Sequence, residues 1–344
     1  MIHSLQAARA AAAILVLLFH ASGSIFAKSK YWGAEPFGDV FDFGHAGVDF
    51  FFVLSGFIIA FAHRADIGRP ERWRSYAWKR FRRIYPPYWV VMALIVPVFF
   101  LAPGWGVGHE RQAGTLVCSF LLLPHPTAPV LGVAWSLCNE VLFYVAFLAF
   151  IAGRRVGVVV FAAWLLYVVL PVGPRPFPLC FLGDLRHVQF FLGMLGAAIY
   201  VRRTVPAPRL VALLGAALFL GAGAVETYTQ WLDASELLLA YGVGSLGVVL
   251  GLAEAERSGG LRVPRLFSFL GAASYAIFLA HVPALSLLAK LAVAAGLPRK
   301  LHHGVAFVLV VALAIVAGVA FYLLVERPLL KALDRRSSSA PASP

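Results

Sequence analysis

Charge is scarce in this sequence. Of its 344 residues, 13% are Asp, Glu, Lys or Arg, against about 25% in an average soluble domain. Cysteine is scarcer still, with three residues, Cys118, Cys138 and Cys180, and no CxxC pair. That excludes a disulfide framework and a zinc site, and no metal is expected. Acidic residues are outnumbered by basic ones, 16 to 29, for a net charge of +13. Asparagine occurs once, as Asn139. What fills the chain instead is apolar: 61% hydrophobic residues and a mean hydropathy of +0.83. An ordinary soluble enzyme, a disordered chain and a disulfide-stapled secreted domain are all excluded by that balance.

The apolar residues fall in blocks long enough to span a bilayer, which takes about 20 residues per helix. Ten spans are expected, near 5–22, 46–63, 86–102, 134–152, 156–171, 186–201, 209–226, 235–253, 266–289 and 305–325. The stretch 114–124 is too short to cross and reads as interfacial or re-entrant. The expected fold is therefore an all-α integral membrane protein, a bundle of about ten transmembrane helices with both termini on one side. Basic residues choose the side. The loop 64–85 carries Arg64, Arg69, Arg72, Arg74, Lys79, Arg80, Arg82 and Arg83. Arg154, Arg155, Arg202, Arg203, Arg257 and Arg262 mark further loops on the same side. By the positive-inside rule that side, with both termini, is cytoplasmic, and the excess of positive charge belongs to it rather than to nucleic acid. Residues 1–330 form the expected membrane-embedded domain and 331–344 a basic, disordered tail. Arg9 lies inside the first apolar run and His20 interrupts its far end, which argues against a cleaved signal peptide.

Ionisable groups inside membrane spans are expensive and mark function or partnered structure. Arg9 and His20 share the first span. Their spacing is about three helical turns, so they lie near one face and about 16 Å apart along the axis. The second span opens with His45 and Asp49 in GHAGVDFFFVLSGF. In AWSLCNEVLFY, Ser136, Glu140 and Tyr144 follow i, i+4, i+8 spacing and share a face. Ser274 and His281 share a face of the ninth span. Span direction puts His20, Asp49, Glu140 and His281 in the outer half of the membrane, with Arg9, Arg80 and Arg83 at the cytoplasmic side. A polar outer cavity above a basic inner mouth suits an anionic ligand entering from the cytoplasm, with acid–base chemistry further out.

These residues resemble the acyltransferase-3 family of membrane acyltransferases, over nearly the whole chain. Arg9 and His20 match its first-helix Arg/Lys and His, and residues 47–57 match its GVDFFFVLSGF segment. Arg80 and Arg83 match its R-x-x-R, and Ser136, Leu137, Glu140 and Tyr144 its S-L-x-x-E-x-x-x-Y. Ser274, Tyr275 and His281, then Glu326, Arg327 and Pro328, match its late elements. Many members carry two acids in the fourth-span motif; here Asn139 precedes a single Glu140. Some members carry a fused esterase-like domain, whereas this chain ends soon after Glu326, so a stand-alone member is expected.

The resemblance implies O-acyl transfer, usually of acetyl, from cytoplasmic acyl-CoA to a hydroxyl. The acceptor is a sugar of a cell-surface polysaccharide, a lipid-linked glycan or a related glycoside, and the place is the inner (plasma) membrane. No permanently bound cofactor is expected; acyl-CoA is the donor substrate. Arg80 and Arg83, with Arg9, are the expected phosphate-holding residues, since a guanidinium fork matches phosphate. Anionic lipid headgroups are the other ligand such a basic loop suits. His20 is the expected general base or proton relay, with Glu140 or Asp49 as its orienting partner. A covalent acyl-histidine is an alternative that the residues do not single out. Ser136, Asn139 and Tyr144 are the oxyanion or acceptor candidates, and His281 is a second relay. The rival reading is a transporter or exporter using His20, Asp49 and Glu140 as a proton relay; it favours internal repeats, of which none is evident. Gly242, Gly244 and Gly247 spell G-x-G-x-x-G. No strand precedes them, so close helix packing explains them better than nucleotide binding.

Overall fold

The computed structural model describes residues 2–170, 173, 175–229 and 231–338. Among the described residues all regular structure is helical. The chain begins with α1 (His3–Phe19), which widens into a π-turn (His20–Phe26), and continues through α2 (Gly47–Ala62) and α3 (Trp73–Leu101). Then come α4 (Ala113–Leu121), α5 (Trp135–Ala152), α6 (Arg154–Val169), α7 (Leu179–Leu182) and α8 (His187–Arg202). The last third is α9 (Pro208–Tyr228), α10 (Ala234–Arg257), α11 (Arg265–Ala294) and α12 (His303–Phe321). A second π-turn (Tyr322–Glu326) leads into α13 (Arg327–Ser338).

Eight helical segments are long and apolar enough to cross a membrane: His3–Phe26, Gly38–Ala62, Pro70–Leu101, Gly132–Ala152, Pro208–Tyr228, Ala234–Arg257, Arg265–Ala294 and His303–Arg335. Helices α6 and α8 occupy the other two expected spans with 16 residues each. At about 1.5 Å per residue that is about 24 Å, short of the roughly 30 Å hydrocarbon thickness. The nine-residue α4 is shorter again. In the stretch expected as a disordered tail, α13 continues to Ser338; residues 339–344 lie outside the described residues.

Apolar side chains give little preference for one helix neighbour over another inside lipid, so close approach depends on small residues. A Cβ on Gly193 of α8 would lie 1.9 Å from the Val53 carbonyl oxygen of α2. One on Gly56 of α2 would lie 2.2 Å from the Phe190 oxygen of α8. The two helices thus meet backbone to backbone. Gly244 and Gly247 do the same for α10 on Gly215 of α9, which is the role their spacing suggests. Gly271 of α11 sits on Gln6 of α1, where a Cβ would come within 2.0 Å of the Gln6 oxygen. Helix α10 begins with a capping box: the Asp233 side chain accepts from the amides of Ser235 and Glu236, and Glu236 Oε2 accepts from the Asp233 amide at 2.9 Å.

Three apolar cores result. One joins α2, α3, α5 and α11, one lies between α1, α2, α8, α9 and α10, and one lies among α1, α11 and α12. Phe51 packs against all three. Three prolines lie inside α3, and Pro86 and Pro87 remove the amides that would bond the carbonyls of Arg82 and Arg83. Such breaks are tolerated in a membrane helix where the freed groups face protein or a water-filled space.

Gly193→Val is expected to separate α2 from α8 at a cost of about 3 kcal/mol or more, since backbone cannot yield as a side chain does. Gly221→Val, at a position with nothing within 4 Å, is the control. Thermal unfolding of both variants in nanodiscs checks this: equal melting temperatures would show that the contact between the helices tolerates a side chain.

Candidate active site

A cavity of about 320 Å³ opens between α2, α3, α5 and α11, with Arg9 of α1 and part of α13 completing its wall. Each helix contributes by its own periodicity. From α5 come Ser136, Leu137, Glu140 and Tyr144, the stripe that i, i+4, i+8 spacing places on one face. From α2 come Phe51, Phe52, Ser55 and Ile59. From α3 come Lys79, Arg80, Arg82, Arg83 and Ile84, and from α11 Ser274, Tyr275 and Phe278.

One end of this space is cationic. Arg83 Nη1 donates to Glu326 Oε1 at 2.5 Å, and the Glu326 side chain is 0% exposed. The ion pair ties α3 to the π-turn that ends the last long helix. The second carboxylate oxygen, Oε2, has no hydrogen-bond partner among the described residues. Arg82 pairs with Asp334 of α13. Arg80 lies over the Tyr144 ring at 5.7 Å, and Arg83 over the Tyr275 ring at 5.2 Å. Arg80 Nε is buried and unpartnered among the described residues. The hydrogen bond that Arg9 makes is a long one to Gln6 Oε1, at 3.4 Å. Two of the three arginines picked out by sequence are therefore not committed to a carboxylate by hydrogen bonds. Further along the wall, Ser55 Oγ donates to Glu140 Oε1 at 3.0 Å and the Tyr144 hydroxyl donates to the same oxygen.

Phe51 and Phe278 line the cavity and meet edge to face at 5.9 Å. Phe278 also packs on the His281 ring at 5.6 Å. His281 is fully buried and does not line the cavity. Its Nδ1 donates to the Phe278 carbonyl at 2.6 Å, since a carbonyl only accepts. In the neutral ring that leaves Nε2 bare, and it faces His20 Nδ1 at 3.3 Å. His20 Nδ1 also donates to the Val16 carbonyl, at 2.9 Å. One N–H of His20 is thus shared between two acceptors, and the neutral His20 ring carries its lone pair on Nε2. No hydrogen bond engages that Nε2 among the described residues. His20 begins the π-turn of α1, a local widening frequent at functional sites.

The residues expected from sequence separate into distinct places. Arg9, Arg80, Arg83, Ser136, Glu140 and Tyr144 share the cavity. His20 and His281 form their own pair behind Phe278. The partner of His20 is therefore His281, in place of the expected Glu140 or Asp49. Glu140 is held by Ser55 and Tyr144. Asp49 Oδ1 accepts from Gln189 Nε2 at 3.3 Å, near a separate cluster where His45 Nε2 meets Glu226 Oε1 at 2.8 Å. No hydrogen bond among the described residues links His20, Asp49 and Glu140 to one another, which removes the chain of contacts that a relay through these three needs. Asn139 points away from the cavity and lines another. Sequence reading passed over Ser55, a lone hydroxyl in the apolar run of α2. It also gave no role to Glu326, although its motif was evident.

The family model described as "Acyltransferase domain" matches residues 2–327. The chain is 30% identical to the "Exopolysaccharide production protein ExoZ" of Rhizobium meliloti (strain 1021), covering 88% of this chain and 94% of that protein. It is 28% identical to the "Acyltransferase MdmB" of Streptomyces mycarofaciens, covering 98% of this chain and 94% of that protein. No solved structure matches the chain.

Glu326→Gln is expected to lower stability by about 3–5 kcal/mol, the typical cost of breaking a buried ion pair. Asp334→Asn, at a half-exposed pair, should cost about 0–1 kcal/mol. Thermal unfolding in nanodiscs compares them; equal shifts would mean that the Arg83–Glu326 contact is not effectively buried.

Proposed function

The chain belongs to the acyltransferase-3 family, and on that premise we propose that this membrane O-acyltransferase moves an acyl group, most commonly acetyl, from acyl-CoA to a hydroxyl of a surface-polysaccharide or glycoside sugar. The observation that carries this reading is the single cavity lined by Arg9, Arg80 and Arg83 at one end and by Ser136, Glu140 and Tyr144 along its wall. Arginine forks suit the phosphates of CoA, and stacking on Tyr144 and Tyr275 holds two of these forks in place. The basic loop before α3 puts the arginine mouth, and both termini, on the cytoplasmic side of the inner membrane, where acyl-CoA is available.

The pantetheine arm extends from the arginines toward Phe51 and Phe278, and the thioester lies beyond the polar face of α5. Displacement of these two rings opens the way to His20. His20 Nε2, with its lone pair free, takes the proton of the acceptor hydroxyl as the oxygen attacks the thioester carbonyl. The tetrahedral intermediate collapses with cleavage of the carbon–sulfur bond, and the departing thiolate takes the proton from His20. The products are the sugar ester and CoA. His281 positions His20 by accepting its Nδ1–H, the part that a third group plays in a triad. Glu140, held ionised by two hydroxyl donors, positions the cationic end of the donor against Arg9 and orders Tyr144. The exopolysaccharide assignment of one relative supports a polysaccharide acceptor.

CoA release from acetyl-CoA by the protein in nanodiscs, with and without surface glycan from the source cells, tests the reading. Glycan-stimulated release is expected. His20→Ala should lower kcat about 100- to 10,000-fold, the usual range for a lost general base. Arg80→Ala should raise the acetyl-CoA KM about tenfold or more, as loss of a charged hydrogen bond does. Full turnover in folded His20→Ala protein would remove His20 from the chemistry. Folded wild-type protein that neither binds nor cleaves acyl-CoA would overturn the donor assignment.

A further inference from the structure

A second cavity, of about 470 Å³, lies on the other side of α5. It is built where the first turns of α5 meet the 123–129 loop, α4 and α7. Helical geometry makes α5 the wall between the two spaces. Ser136, Glu140 and Tyr144 face the arginine-lined cavity, and Trp135, Cys138 and Asn139 face this one. Trp135 packs at 6.1 Å on Phe52, which lines the first cavity, so a single pair of rings separates them.

The lining carries a distinctive mixture. Trp135 and Phe177 are partly exposed, at 37% and 43%, and offer apolar ring surface. Asn139 is only 2% exposed, yet its Oδ1 has no hydrogen-bond partner among the described residues. Its Nδ2 donates to the Trp135 carbonyl at 2.9 Å, which fixes the orientation of the amide and leaves Oδ1 as an acceptor. Burial of an unpaired polar atom is costly, and such an atom at a cavity wall calls for a donor from a ligand or water. His125 supplies the opposite polarity. Its Nδ1 accepts from the Thr127 amide at 3.2 Å, so in the neutral ring Nε2 carries a proton to donate. An acceptor, a donor and aromatic faces around a space of this size suit a neutral ring that has hydroxyls at its edge and C–H bonds on its face.

We propose that this cavity is the acceptor subsite, and that it holds a sugar ring of the acceptor glycan with a hydroxyl donating to Asn139 Oδ1 and the ring against Trp135. The proposal rests on the acyltransferase reading above for the identity of its occupant. It gives the two substrates opposite faces of one helix. The arginines hold the donor on one face, and Trp135 and Asn139 hold the acceptor on the other.

The test uses the full chain in nanodiscs, with acetyl-CoA and a de-O-acylated oligosaccharide fraction from the surface of the source cells. Asn139→Leu removes the acceptor atom. Cys180→Trp, at an exposed residue of the cavity wall, fills the space without disturbing a buried position. Both should raise the oligosaccharide KM at least about 3- to 10-fold, the equivalent of one lost hydrogen bond. The acetyl-CoA KM should stay within twofold. If Asn139→Leu does not fold, Cys180→Trp decides alone. A readout without turnover accompanies the kinetics: the oligosaccharide should slow modification of Cys180 by a charged methanethiosulfonate reagent, localised by mass spectrometry. Unchanged oligosaccharide KM in a folded variant that still transfers acyl groups would overturn the subsite and leave the acyltransferase reading standing. Protection of Cys180 with no transfer at all would support the subsite and overturn the chemistry. Absence of both would overturn both.

Discussion

Keeping arginine inside an apolar bundle is the constraint on which the rest of this structure depends. An isolated buried guanidinium costs several kcal/mol, so each arginine near the cavity must find a carboxylate, an aromatic face or water. Arg83 finds Glu326, Arg82 finds Asp334, and Arg80 and Arg83 lie over Tyr144 and Tyr275. These contacts draw α3 onto α5, α11 and the last π-turn, and so determine which helices surround the cavity. The pair also explains why the late Glu-Arg-Pro segment matters so far along the chain from Arg83: it delivers the counter-charge. Water and a bound anion are the partners that remain for Arg80 and Arg9, whose hydrogen-bonding capacity is otherwise little used.

Glycine sets the geometry within which those charges meet. The contact of Gly271 on Gln6 fixes the register of α11 against α1, and that register is what brings His281 to His20. On the far side, Gly56 and Gly193 bring α2 and α8 into backbone contact, which holds Phe51 where the three apolar cores converge. Rigid packing around a polar cavity is what an acyl-transfer site requires, because the barrier falls only when nucleophile and carbonyl are held in line.

Much of this was legible in the sequence. Composition alone indicates a helical membrane protein, and each of the ten apolar blocks corresponds to a helix. Block length overstates α6 and α8, because apolar residues such as Leu170 continue past the point where the helix ends. The cavity wall was legible wherever one helix supplies several residues: Ser136, Glu140 and Tyr144 share a face by arithmetic. Pairing between helices was not. That His20 meets His281 rather than Glu140 depends on the offset between α1 and α11, which a glycine contact decides and no spacing within one helix records. Asn139 is the instructive case. As the neighbour of Glu140 it was grouped with that residue, but adjacent positions on a helix point about 100° apart, so the two belong to different cavities.

The π-turn that starts at His20 has a consequence for how the first helix tolerates change in length. A π-turn carries an extra residue relative to an α-helix of the same rise. Deleting one residue between His20 and Phe26 would let the segment relax into regular α-helix. Everything beyond would then rotate by about 100°. Phe26, stacked on Trp32 at 4.2 Å and against Phe307 at 5.1 Å, would leave both rings. The outer end of α1 would lose its anchor to α12, while Arg9 and the helix below it stayed in place. The extra residue works like a washer under a bolt head: it takes no strain of its own, yet it sets how far the parts on either side are turned.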